Sequence, residues 1–104
     1  MPSDISIQLN VIQQYRNLIN VILPSAYQSP VKFNHCFNRI ILDWLFKDCW
    51  YYHLNKNKTA ISQLSNKQLE LSVIRMNEWL SDQNLLIADN LASLQYRKNS
   101  KVIN

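Results

Sequence analysis

The chain contains no glycine. That absence argues against glycine-rich phosphate loops, two-residue glycine hairpins and glycine helix caps, whose tight turns rely on glycine's freedom at positive φ. Chain reversals fall instead to Asn, Ser and the three prolines. Cys36 and Cys49 are the only cysteines, so a disulfide scaffold is not expected and both thiols read as free in a reducing cytoplasm. No apolar run approaches the ~20 residues of a membrane span. The opening Met-Pro-Ser-Asp lacks the basic and apolar regions of a secretory signal. Acidic residues are few, seven Asp and Glu against eleven Lys and Arg, for a net charge of +4. This modest excess permits a polyanionic partner without demanding one.

What is present points to an all-α fold. Hydrophobic residues make up 47% of the 104 positions and aromatics 11%, which argues against intrinsic disorder. A chain of this length makes one domain that buries roughly two-thirds of its unfolded surface. Apolar residues recur at helical spacing in four segments. The first, about Asp4 to Leu23, carries Val11, Ile12, Tyr15, Leu18, Ile19 and Ile22 on one face, with Ser3 or Asp4 at its start and Pro24 as its stop. Residues from Pro24 to about Phe33 read as a linker. The second, about 34–54, is expected to be one unbroken and largely buried central helix, with Phe37, Ile40, Ile41, Trp44, Leu45, Tyr51 and Tyr52 in a wide apolar arc.

A polar Asn55–Lys58 loop follows, with a short helical turn after Thr59. The third helix has the clearest start: Ser65 and Gln68 match a capping box, and Leu64 and Leu69 sit at the staple positions. Leu69, Val73, Met76 and Leu80 form its core stripe. Ser81 or Asp82 separates it from a fourth helix, about Gln83 to Arg97, whose Ile87, Leu91, Leu94, Ala88 and Ala92 are expected to face inward. Residues 97–104 read as a frayed basic tail on a single 1–104 domain. The expected architecture is a compact bundle of four to five helices around residues 34–54.

Catalytic chemistry finds little support. His35, Cys36, Cys49 and His53 could ligate metal, but in one continuous helix the two pairs lie roughly 20 Å apart. Cys49 and His53, four apart, lack an orienting group and an oxyanion hole. No metal, cofactor or catalytic residue is expected. Asp48 falls in the apolar arc and would need a cation, Arg16 or Arg75, because an unpaired buried charge is costly.

Arg39, Asp43 and Lys47, four apart, read as a solvated charge ladder interrupted by Phe46 and Trp50. Aromatics beside arginine are enriched in binding hot spots. With the patch of Leu71 and Ile74, these residues form the expected partner-binding surface. An alternative uses Lys56, Lys58, Lys67, Arg97, Lys98 and Lys101 against nucleic acid, with tyrosines for stacking.

The string HCFNRIILDWLFKDCWYYHL, His35 to Leu54, is similar to a family of small uncharacterised bacterial proteins of cyanobacterial type. They share an H-C-F-x-R-I run, a D-C-W-Y-x-H-L run and a following L-S/T-x-x-Q-L, here Leu64 to Leu69. The resemblance implies no activity, and it marks Arg39, Asp48, Trp50 and His53. A second likeness, through the Tyr15, Pro24 and Arg39 rhythm, is to basic four-helix RNA-binding accessory proteins, although their glycine-containing helix start is missing. The functional expectation is a non-catalytic adaptor or regulator that binds a protein partner or itself, with nucleic-acid binding as the alternative.

Overall fold

The computed structural model describes residues 4–27 and 34–102. It contains helices α1 (Asp4–Asn17), α2 (Leu23–Ala26), α3 (Asn34–Phe46), α4 (Asn66–Ser81) and α5 (Gln83–Val102), with no strand among the described residues. The fold is an all-α bundle in which α1 packs chiefly on α4 and α3 on α5. Its hydrophobic core includes Phe37, Ile40, Ile41 and Leu42 of α3 and Leu69, Met76 and Trp79 of α4. Trp79, the largest fully buried side chain, escaped the sequence-derived core stripe.

Pro24 does not stop the first helix. A wide π turn over Leu18–Ile22 joins α1 to α2, and the Leu23 amide donates to the Leu18 carbonyl. In a regular helix the proline ring would collide with the carbonyl four residues back. The wide turn just before Pro24 absorbs that conflict and lets the helical course continue to Ala26. Tyr27 then extends away from the helix and its hydroxyl donates to the carbonyl of Trp79. That carbonyl is one of the last four of α4, which have no intrahelical donor. The remainder of the expected linker lies outside the described residues.

The central helix is shorter than its periodicity suggests. It ends at Phe46; Lys47 takes φ 55° and Cys49 is extended, before a 3-10 turn over Trp50–Tyr52. The Asp48 amide donates to the Asp43 carbonyl at 3.3 Å. A left-handed residue followed by a bond closing back five residues is the Schellman form of helix ending. Glycine is the usual occupant of that position; here a lysine holds it, at a cost of about 1 kcal/mol. The reversal therefore falls to a residue type that the composition did not nominate.

The start of α4 is as expected. The Ser65 hydroxyl accepts from the Gln68 amide at 3.1 Å while the Gln68 carboxamide accepts from the Ser65 amide at 2.9 Å, and Leu64 and Leu69 are both buried. A turn over Ile61–Gln63 precedes it. The Gln63 side chain closes the Asn55 loop, accepting from the Asn55 amide and donating to its carbonyl, both at 2.8 Å. Asp82 alone separates α4 from α5, its carboxylate accepting the Asn84 amide at 3.0 Å. Arg97 lies within α5 rather than in a frayed tail, and the helix continues to Val102.

Candidate functional site

The face of α5 that turns inward is polar. Leu86, Asp89 and Ser93 are buried, whereas Leu91 is 61% and Leu94 48% exposed and Ala88 is exposed; Ile87 and Ala92 are half-buried. The expected inward stripe of Ile87, Leu91 and Leu94 is thus overturned. The cause lies on the facing helices. They present Arg39, Asp43, Arg75 and the Trp79 indole, all of which need hydrogen-bonding partners once water is removed.

Asp43 is the centre of this seam and is fully buried. Its carboxylate accepts the Ser93 hydroxyl at 2.5 Å, the Trp50 amide at 2.9 Å and Arg97 Nε at 3.2 Å. Arg39 donates to Ser93 at 3.1 Å and to Asn90 at 2.8 Å. A second cluster lies beside it on α4. Arg75 grips Asp89 through Nε at 2.8 Å and Nη2 at 2.9 Å, and the Trp79 indole donates to the same carboxylate at 2.8 Å. Hydrogen bonding to Asp89 raises the Arg75 guanidinium above its ordinary value against the opposing pull of burial. Two of the expected partner-binding residues are therefore engaged within the fold, Asp43 fully buried and Arg39 half-buried. They do not make the solvated ladder with Lys47.

The aromatic residues of that surface are also packed. Phe46 is half-buried and stacks on the His53 imidazole with ring centres 5.0 Å apart. Trp50 is half-buried against the core and meets Tyr51 edge-on at 5.9 Å. Lys47 is exposed and sits 4.6 Å from the centre of the Trp44 ring, which also carries the Arg75 guanidinium at 5.0 Å.

Asp48 is not buried among apolar side chains. The helix ends before it, its carboxylate accepts the Cys49 amide at 2.8 Å, and His53 Nε2 lies 3.2 Å away, with both side chains more than 40% exposed. Neither Arg16 nor Arg75 is its partner. The buried carboxylates are Asp43 and Asp89 instead.

The break also changes the Cys49–His53 relation, since the two no longer share a helix face. Cys49 is buried, and its thiol interacts with the Tyr51 hydroxyl; that hydrogen bond, followed by desolvation, raises the Tyr51 phenol above its ordinary value. Among the described residues no three His, Cys, Asp or Glu side chains gather as a metal site, and both cysteines are free. The His35 side chain lies outside the described residues.

The expected basic surface divides. Lys56, Lys58, Lys67 and Lys98 are exposed. Arg97 is committed to Asp43 and lies 5.3 Å from the centre of the Tyr51 ring. The Lys101 side chain lies outside the described residues. The apolar pair on α4 stays open, with Leu71 38% and Ile74 57% exposed. No described helix is long and apolar enough to cross a membrane. The chain matches no protein-family model, and no curated protein or solved structure is similar to it.

Proposed function

We propose that this protein is a non-catalytic interaction module whose docking surface is the outer side of the α4–α5 hairpin. The supporting observation is the inversion of α5: its polar residues bond inward while Leu91 and Leu94 meet solvent, and Leu71 and Ile74 do the same on α4. Exposed leucine and isoleucine side chains on two adjoining helices lose unfavourable hydration when a partner covers them. The buried carboxylates support the non-catalytic reading, because Asp43 and Asp89 are each saturated by donors of the fold. Two free thiols fit a reducing cytoplasm. Phe46 and Trp50, being packed, lie outside this docking surface.

A protein partner is the first expectation, and a second copy of the chain is a form of it. The test uses Leu91→Glu with Ile74→Glu, exposed positions at which charge disturbs the fold little. Sedimentation of the purified protein reads self-association. Affinity capture from the native host, with and without nuclease, reads other partners. A specific protein that is retained after nuclease and lost with the double variant supports the proposal, as does a dimer lost in the same way. Retention unchanged by the double variant overturns this surface. Retention that vanishes with nuclease and declines steeply with salt points instead to nucleic acid on Lys56, Lys58 and Lys67.

A further inference from the structure

Arg16 differs from the other three arginines of the chain. Arg39, Arg75 and Arg97 each direct their guanidinium at oxygen acceptors within the fold. Arg16 makes no ion pair or hydrogen bond among the described residues, and it is exposed. It stands on the wall of a cleft of about 370 Å³ formed between α1, the π turn, α3 and the turn at residues 59–61. That volume is at the lower end of the roughly 300–1,000 Å³ typical of small-molecule sites.

The cleft is two-sided in its chemistry. Tyr15, Ile19, Ala60 and Ile61 supply an apolar floor, and Asn38 and Thr59 supply polar groups beside Arg16. The Tyr15 hydroxyl donates to Asn38 Oδ1 at 2.7 Å, so the end of the Asn38 amide not engaged by the phenol is its nitrogen, a donor. No carboxylate lines the cleft among the described residues. The adjoining depression along α1, which shares Arg16, is lined by Asn and Gln side chains and Val21, again without an acid among the described residues. Arg16 is therefore the one charged group that the described lining of the cleft and of the depression carries. The π turn widens the helix at the point where it contributes Ile19 to the cleft, and such turns recur at functional sites.

We propose that this cleft binds a small organic carboxylate with an apolar body. One guanidinium fork matches the planar geometry and single charge of a carboxylate; a dianionic phosphate would leave half its charge uncompensated. The apolar floor takes the ligand's hydrocarbon part. The cleft shares no residue with the α4–α5 surface, so the two proposals succeed or fail separately.

Benzoate is the probe, titrated into the isotope-labelled full chain and followed by amide NMR. Saturable shifts confined to residues 16–20, 38 and 59–61 are expected, with affinity on the order of 1 mM. Arg16→Gln should weaken binding about tenfold or more, since it removes a charge-assisted pair. Benzamide, isosteric but neutral, should give no saturable shift. Inorganic phosphate, which has no apolar body, should bind at least about tenfold more weakly. Ala60→Phe, which fills the cleft and keeps the guanidinium, should abolish binding while the remaining spectrum stays native. Equal binding of benzamide or phosphate, or undiminished benzoate binding by either variant, overturns the proposal. So does the absence of saturation, or shifts centred on Lys56 and Lys58.

Discussion

Replacing Asp43 by alanine tests the energetic reading of the seam most directly. Three groups lose their acceptor at once: the Ser93 hydroxyl, the Trp50 amide and the Arg97 guanidinium. Removing one partner of a buried ion pair costs roughly 3–5 kcal/mol, because the remaining charge is left desolvated. Arg97 is 27% exposed and can regain some water, which favours the lower part of that range; the Ser93 hydroxyl and Trp50 amide each add about 1 kcal/mol. A loss of about 5 kcal/mol is expected, equal to the low end of the 5–15 kcal/mol typical of a whole domain.

Urea unfolding, followed by far-ultraviolet circular dichroism, should show the midpoint falling with little change in slope. The cycle with Arg97→Met separates the ion pair from the other bonds. Either single change leaves a charge without its partner, so the double variant should be more stable than the sum of the two losses implies, by about 1–3 kcal/mol. A loss below about 1 kcal/mol for Asp43→Ala, or strictly additive losses, would refute the view that α5 is held through this carboxylate.

Two further perturbations probe local features. Lys47→Gly relieves the left-handed strain at φ 55°; against the lost contact with Trp44, a net gain of about 0.5 kcal/mol in urea unfolding is expected, and a loss would mean that the lysine side chain outweighs the backbone term. Burial raises the Tyr15 phenol well above its ordinary value. A raised folded pKa means that its contribution is complete below pH about 10 and is lost as pH climbs beyond it, because the unfolded chain ionises first. Tyr15→Phe should therefore be about 1 kcal/mol less stable at pH 7, through loss of the bond to Asn38. Its deficit relative to the wild type should shrink above pH 10, and a constant deficit across that range would contradict the assignment.

The readable parts of the fold were those specified locally. The Ser65–Gln68 box needs only four consecutive residues, and its staple leucines flank it. Phe37, Ile40 and Ile41 were legible as core through spacing alone. The break at Lys47 was not, because the apolar rhythm of 34–54 runs through it without glycine or proline. What ends the helix is tertiary: the buried Asp43 carboxylate takes the Trp50 amide seven residues on, and in a continuing helix that amide would bond to the Phe46 carbonyl. The face of α5 was misassigned for a related reason. Hydropathy counts apolar side chains, and no single helix announces that its neighbours present Arg39, Asp43 and Arg75. The candidate site suffered most, since a charge ladder on a helical wheel looks the same whether water or another helix stands opposite.

The order of Asp89, Ser93 and Arg97 along the inward side of α5 also fixes where that helix can sit lengthwise. Displace it by one turn, about 5.4 Å, so that Asp89 takes the place of Ser93: two carboxylates then meet beside each other in the interior, and Arg75 is deprived of its acceptor. Displace it the other way, and Arg97 lies against Arg39 while Ser93, a neutral group, faces Arg75. An oily seam would tolerate either slip at modest loss, but this one penalises both with unmatched ions. The bundle has in effect a keyed joint, which gives the exposed leucines on the outer side of α5 one fixed position relative to the rest of the molecule.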